Sequence, residues 1–183
     1  MREKVTQVLQ PKKGLAQAAF HIPWPIVAAV VMLIGATRLA GQELIQFQDG
    51  NNAIYAGVLS VINAERTARG LGAVSANKVL QTAAQWMAED MAARHTLDHT
   101  DSRHRGLASR LQDFGYENPR LIAENIAEGQ DTPTAVVNSW MHSPPHRANL
   151  LHPEARHAGV GLAFSAQGQH YWVLDLGTTF TDS

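Results

Sequence analysis

Hydrophobic residues recur at helical spacing in two segments that follow residue 50. The first segment, residues 53–69, is predicted to form a helix that ends at Gly70 and Gly72. The second helix is predicted to begin at Ser75, a residue type that caps helix N-termini, and to run to about His95. The apolar positions with this spacing are Ile54, Val58, Leu59 and Ile62 in the first helix and Leu80, Ala83, Ala84, Met87 and Met91 in the second.

Shorter elements are predicted further along the chain. Residues 97–105 are polar and predict a loop, and residues 106–114 predict a short helix that ends at Gly115. Residues 121–127 form an apolar run with two polar interruptions, which predicts a strand.

A helix and a hairpin complete the pattern. The helix is predicted to be capped by Thr132 or Thr134 and to end at Pro144 and Pro145. The hairpin is predicted to consist of strands at residues 159–165 and 170–177 and a turn at 166–168.

The N-terminal segment has the charge pattern of a membrane anchor. Basic residues are concentrated in residues 1–14, and residues 15–36 are almost free of polar side chains. A membrane-spanning helix needs about 20 mostly apolar residues, and the segment reaches that length only if Pro23 and Pro25 are included. The basic flank predicts a cytoplasmic N-terminus and export of the rest, with residues 15–36 in contact with the membrane.

Two alternatives to an anchor stay open. The segment can be a cleaved signal peptide of a secreted or periplasmic protein, or a buried or interfacial helix. Residues 39–42 resemble a lipoprotein box, but Gln42 stands where a cysteine would be required. The predicted organisation is an anchor or signal peptide at 1–41, a linker at 42–52 and one domain at 53–183.

Composition excludes several classes of site. The chain has no cysteine, which excludes disulfides and thiolate chemistry, so any metal must be held by histidine, carboxylate or carbonyl groups. The formal net charge is −1, so the chain lacks the basic footprint of a nucleic-acid-binding protein. Neither a phosphate-binding glycine loop nor a serine nucleophile elbow is present.

Three segments carry polar groups that need an explanation. His99 lies in the polar loop, and Glu124 lies within an apolar strand, where an unpaired carboxylate would be costly to bury. The third segment is residues 140–151, which combine a tryptophan, two prolines, His146, Arg147 and an asparagine in twelve positions.

These segments resemble the bacterial branch of the CAP superfamily, which comprises cysteine-rich secretory, antigen 5 and pathogenesis-related proteins. The resemblance covers about residues 53–177, and its motifs come in the family's order. The matching segments are residues 62–66, His99, residues 124–125, residues 140–151, residues 159–161 and residues 171–175.

The resemblance implies an α/β fold, a three-layer α/β/α sandwich with a polar cleft over the sheet. In animal and plant members the cleft holds two histidines and two glutamates that can bind zinc. His99, Glu124 and His146 match three of these positions, and Ser143 stands in place of the second glutamate. Asn125, Ser143, Arg147 and Asn149 are expected to support this cleft.

Several interpretations of the cleft residues stay open. Two imidazoles and one carboxylate can form a three-ligand zinc site that activates water, with all three as candidate catalytic residues. Without metal, Glu124 can hold one imidazole in a fixed tautomer. Alternatively, Glu124 and His146 are separate structural groups. Asp175, in the last strand, is predicted to pair with Arg66 or Arg147.

The corresponding functions differ in class. The first is a binding module of the cell envelope for a small ligand, a lipid or a cell-wall component. The second is a metal-assisted hydrolase of peptide or ester bonds. The third is a structural envelope protein with a vestigial cleft. The fold alone does not decide between them.

Overall fold

The computed structural model describes residues 51–182 of the chain. The predicted anchor or signal segment at 1–41, and nearly all of the predicted linker at 42–52, lie outside the described residues. Among the helices of the described part, none has both the length and the apolar character needed to cross a membrane.

A four-stranded sheet lies at the centre of the domain. Its strands are β1 (Ser75–Ala76), β2 (Pro119–Glu128), β3 (His157–Phe164) and β4 (His170–Thr179). The strand order is β1-β3-β4-β2. β1 runs parallel to β3, whereas β4 pairs antiparallel with both β3 and β2. β3 and β4 form the predicted hairpin, with Gly168 at a positive φ of 81° in the turn.

Helices cover both faces of this sheet. They are α1 (51–67), α2 (Lys78–Arg94), α3 (Leu107–Asp113), α4 (Pro133–His142) and α5 (Pro144–Leu150). The predicted loop at 97–105 and the short helix that precedes Gly115 are confirmed. Thr132 caps α4 as predicted, because its side chain accepts a hydrogen bond from the backbone N–H of Ala135.

Alternate side chains of β4 contribute to two different cores. Trp172, Leu174 and Leu176 pack in one hydrophobic core with residues of α1, α4 and α5. Tyr171 and Val173 pack on the other face, against α2. Since successive residues of a strand point to opposite faces, helices must lie on both sides of the sheet. The predicted three-layer α/β/α sandwich is confirmed.

The start of α2 differs from the prediction. Ser75 belongs to β1, where its backbone N–H donates to the carbonyl of Arg156 at 2.8 Å. The cap of α2 is Asn77, whose side chain accepts from the N–H groups of Val79 and Leu80. Pairing with a distant strand therefore takes Ser75 away from the helix, and the next capping residue along the chain replaces it.

Pro144 and Pro145 begin a helix as well as ending one. α4 ends at His142, as the prolines predict, but Pro144 is the first residue of α5. Proline fits the first turn of a helix because the N–H group that it lacks has no intrahelical partner there. The segment predicted from the prolines to be a stop is therefore a bend between two helices.

Side-chain amides of α2 cover the part of the β3 edge that β1 leaves free. β1 pairs with only the first two residues of β3. The side chain of Gln81 bonds both the N–H and the C=O of Val160. Gln85 does the same for Leu162, at 3.0 and 3.1 Å. An uncovered strand edge invites pairing with other chains, so these two glutamines close the sheet on this side.

Gly161→Ala is expected to lower the free energy of unfolding by about 3 kcal/mol. A Cβ at Gly161 would lie 2.1 Å from the carbonyl oxygen of Ala84, so α2 would have to move away from β3. Gly72→Ala is the control, because a Cβ there has no heavy atom within 4 Å. Urea denaturation measures both variants, and equal stability would show that α2 does not lie directly on the backbone of β3.

Candidate functional site

Glu124 lies on the edge strand β2, on the face of the sheet that α2 and α3 cover. Its neighbour on the same face, Ile126, packs in the core that α2 contributes to. The side chain of Glu124 is only 2% exposed. Burial of an ionised carboxylate to this extent requires partners of opposite charge or hydrogen-bond donors.

The first partner of Glu124 is His99, in the loop between α2 and α3. The Nδ1 atom of His99 lies 2.8 Å from Oε1 of Glu124. A carboxylate only accepts hydrogen bonds, so Nδ1 carries a proton and donates it to Glu124. The side chain of His99 is 57% exposed, which leaves the rest of the ring facing solvent. The buried carboxylate therefore fixes the tautomer and orientation of an exposed imidazole.

The second partner is Arg110 of α3, whose side chain is fully buried. Its Nη2 donates to Oε2 of Glu124. Its Nη1 lies 3.4 Å from the backbone carbonyl of His99, so Arg110 contacts both members of the pair. Both carboxylate oxygens of Glu124 are thus engaged by side chains of this chain.

The loop that carries His99 is ordered by Asp101. The Asp101 carboxylate accepts hydrogen bonds from the backbone N–H groups of Arg103 and Arg105 and from the guanidinium of Arg105 at 2.8 Å. Burial raises the pKa of Asp101, but these hydrogen bonds outweigh it and lower the pKa overall. Asp101 therefore stays ionised and stabilises the loop conformation that places His99 over Glu124.

Asp175 lies directly opposite Glu124 in the β2–β4 pair and is fully buried. Neither of its oxygens has a hydrogen-bond partner among the described residues. Burial, followed by the charge of Glu124, raises the pKa of Asp175 well above its ordinary value. Burial beside the Glu124–Arg110 pair therefore favours the protonated form of the Asp175 carboxyl group.

The predicted partners of Asp175 are wrong. Arg66 is buried and donates to four backbone carbonyls, at distances of 2.7 to 3.2 Å. Arg147 is exposed on α5 and makes no salt bridge within the described range. Arg66 is committed to carbonyls at the end of α5 and in the turn that follows it. Arg147 is out of reach because α5 packs on the opposite face of the sheet from Asp175.

His146 is positioned by two asparagines. The side chain of Asn125 donates to the backbone carbonyl of His146 at 3.0 Å. Asn149 in turn donates to the side-chain oxygen of Asn125 at 2.9 Å. Asn125 and Asn149 thus lie where the sequence places cleft-supporting residues, and they fix α5 against β2.

His99 and His146 have pKa shifts of opposite sign. The hydrogen bond to Glu124 raises the pKa of His99, despite the opposing effect of burial. Burial lowers the pKa of His146, and the nearby charge of His99 lowers it further. His99 is therefore the more easily protonated of the two imidazoles.

Ser143 and Arg147 lie apart from the His99–Glu124 contact. Ser143 is the residue between α4 and α5, and its carbonyl accepts from the N–H of Arg147 at 2.8 Å. Arg147 lines an open groove of about 400 Å³ with apolar residues of α4 and α5. Of the four expected supporting residues, only the two asparagines contact the candidate site.

The candidate zinc site does not fit these contacts. Zinc sites in catalytic proteins use three protein ligands, and within residues 51–182 no cluster of three or more His, Cys, Asp or Glu side chains could hold a metal. Each oxygen of Glu124 already accepts a hydrogen bond, from His99 or from Arg110, and the Arg110 guanidinium places a positive charge beside the carboxylate. Zinc binding by His99, Glu124 and His146 stays a prediction.

Residues 59–176 match the family model of the cysteine-rich secretory protein family, CAP. The chain belongs to this family. The CAP domain is 36% identical over 108 residues to the uncharacterized protein YkwD of Bacillus subtilis (strain 168), a match that covers 59% of this chain and 42% of the relative. It is 29% identical over 105 residues to the uncharacterized membrane protein YlbC of the same organism, a match that covers 57% of this chain and 30% of that relative. The chain thus spans less than half the length of these relatives.

Solved structures show the same fold. An extracellular protein with an SCP domain from Bacillus anthracis superposes with a TM-score of 0.64 at 22% identity, covering 70% of this chain and 41% of that one. An outer surface protein from Borrelia burgdorferi superposes with a TM-score of 0.61 at 21% identity, and the match covers 66% of this chain and 89% of that one. At these identities the comparison supports the fold of the CAP domain and no shared activity.

Sequence reasoning missed Arg110 as a site residue of the CAP domain. A signal for it exists, because Leu107, Arg110, Leu111 and Phe114 recur at helical spacing on one face of α3. An arginine on an apolar helix face is buried only with a partner. In the sequence, Glu124 is the carboxylate within an apolar strand that needs such a partner, so the two residues could have been predicted to pair.

Proposed function

We propose that this protein is an exported CAP-domain protein of the cell envelope that binds a polar cell-wall component through His99. The observation that carries the proposal is the contact between the exposed imidazole of His99 and the buried carboxylate of Glu124. Fixing an exposed ring in one orientation costs conformational entropy. Because the free protein already holds His99 in that orientation, less entropy is lost on binding and the affinity for a ligand is higher.

The two histidines suit oxygen-rich ligands. Because Nδ1 of His99 is committed to Glu124, Nε2 is the atom that meets a ligand, as an acceptor in the neutral ring and as a donor in the charged ring. The raised pKa of His99 favours the charged ring, and the lowered pKa of His146 favours the neutral one. Hydroxyl and carboxylate groups, which cell-wall glycans and peptides carry, can accept from His99, and the hydroxyls can also donate to His146.

Metal-assisted hydrolysis, the alternative prediction, has no contact in its favour. It requires Glu124 as a metal ligand or as a base, whereas each of its oxygens already accepts a hydrogen bond, from His99 or from the positively charged Arg110. A ligand-binding role requires only the exposed ring of His99, which is present.

Export is supported by the N-terminal charge pattern and by relatives. One relative is named a membrane protein, and one structural neighbour is an extracellular protein. Cell fractionation followed by N-terminal sequencing tests the anchor. We expect membrane-bound protein that retains residues 1–41. A soluble exported protein starting near Gln42 would contradict the anchor, and a soluble cytoplasmic protein would contradict export altogether.

His99→Ala is expected to weaken binding of the full chain to purified peptidoglycan sacculi by about tenfold or more, the effect of losing one charged hydrogen bond. Co-sedimentation with sacculi measures this. The control is His142→Ala, since His142 lies on the exposed side of α4 and bonds only the backbone carbonyl of Asn138. Equal binding by both variants, or binding to phospholipid vesicles in place of sacculi, would contradict the proposal.

A further inference from the structure

We propose that Arg110 is the permanent cation of this CAP site and that its guanidinium, in place of a metal ion, neutralises Glu124. The inference is independent of which ligand His99 binds. It rests on three contacts, each made by the buried side chain of Glu124 or of Arg110. They are Arg110 Nη2 to Glu124 Oε2, His99 Nδ1 to Glu124 Oε1, and Arg110 Nη1 to the His99 carbonyl.

The charges of Glu124 and Arg110 balance each other within the buried pair. The side chain of Glu124 is 2% exposed and that of Arg110 is fully buried. A buried carboxylate needs a compensating cation, and a guanidinium is protonated at every physiological pH. The pair therefore has no remaining negative charge for a divalent ion to neutralise.

The contacts of Glu124 also disfavour zinc coordination. Zinc binds a carboxylate oxygen at about 2.0–2.2 Å and takes three or four protein ligands in its usual sites. Each oxygen of Glu124 already accepts a hydrogen bond, from His99 or from Arg110. A zinc ion that replaced Arg110 at Oε2 would leave a buried guanidinium without its partner, which is strongly unfavourable.

Asp175, which faces Glu124 from β4, does not compete for the guanidinium. It is fully buried, and neither of its oxygens has a hydrogen-bond partner among the described residues. The carboxylate that accepts from Arg110 is that of Glu124.

Zinc titration of the full chain by isothermal calorimetry tests the inference. We expect the wild-type protein to bind zinc weakly, and Arg110→Met to bind it at least about tenfold more tightly because Glu124 is released. Arg69→Met is the control, since Arg69 pairs with Glu65 of α1 and makes no hydrogen bond to the loop of His99 among the described residues. It is expected to bind zinc as weakly as the wild type.

Two outcomes would overturn the inference. One is stoichiometric, sub-micromolar zinc binding by the wild-type protein that is lost in His99→Ala. The other is a folded Arg110→Met variant, by circular dichroism, whose zinc affinity equals that of the wild type. If Arg110→Met does not fold, Arg110→Lys replaces it. Because lysine keeps the charge, this variant is expected to bind zinc as weakly as the wild type, and a gain of about tenfold or more would contradict the role of the cation.

Discussion

Trp140→Ala is expected to lower the free energy of unfolding by about 3–5 kcal/mol. The indole is 1% exposed and packs with Val136 and Val137, the neighbours predicted from the sequence. Its Nε1 also donates to the backbone carbonyl of Ile126 at 3.2 Å. The substitution removes a large apolar side chain from the core and leaves a buried carbonyl on β2 without that donor.

A urea denaturation curve measures the loss, and two further variants separate its causes. Trp140→Phe keeps most of the apolar area but not the N–H group, so we expect a smaller loss of about 1–2 kcal/mol. Trp86→Ala is the control for a half-buried indole on α2. It is expected to cost less than Trp140→Ala. A loss below about 1 kcal/mol for Trp140→Ala would show that α4 is not seated on the sheet as described.

Elements set by local pattern are close to their predicted positions, whereas those set by distant pairing are not. The hairpin, α3 and the Thr132 cap follow from residues within a few positions of each other. β1 exists only because Ser75 pairs with a strand that is far away in the sequence. No periodicity within two residues can reveal such a pairing, which is why the local pattern predicts a helix cap at Ser75.

The candidate site shows the same division. The motifs predict that His99 and Glu124 meet, and the 2.8 Å contact agrees with that prediction. Arg110, which donates to the second oxygen of Glu124, is not predicted. Which arginine reaches β2 depends on how α3 packs on the sheet, and the local sequence pattern does not contain that information. The predicted partners of Asp175 are wrong for the same reason. Its face of the sheet follows from the register of β4 against β2, which the sequence does not specify.

Arg110 changes what is expected of Glu124→Gln. From shape alone, glutamine should preserve the fold, since it keeps the size and most of the hydrogen-bonding capacity. The structure shows instead that the substitution leaves a fully buried guanidinium without its carboxylate. We therefore expect a loss of about 3–5 kcal/mol in the free energy of unfolding. Glu128→Gln, an exposed position on the same strand, is the control and should change stability by less than about 0.5 kcal/mol.

The same variant should move both histidine titrations, in opposite directions. The hydrogen bond to the Glu124 carboxylate is the largest cause that raises the pKa of His99, and its charge adds to it, so that pKa should fall when glutamine replaces the carboxylate. His146 has its pKa lowered partly by the charge on His99, so its pKa should rise when His99 is less often charged. Histidine NMR titrations of the wild type and of Glu124→Gln measure both. If only one ring responds, or neither does, the two histidines do not share a site, whereas shifts of the same sign would show that His146 senses Glu124 directly and not through the charge of His99.

The pH dependence of stability has a sign that follows from His99. A histidine whose folded pKa is raised contributes stability that is fully present below the pKa of the unfolded chain and is lost as the pH rises through the folded pKa. The difference in stability between wild type and Glu124→Gln should therefore be larger at mildly acidic pH than at mildly alkaline pH. The part that remains at alkaline pH reports the Arg110–Glu124 pair together with the effect of the Glu124 charge on Asp175. A difference that is the same at both pH values would show that Glu124 acts on Arg110 alone and not on His99.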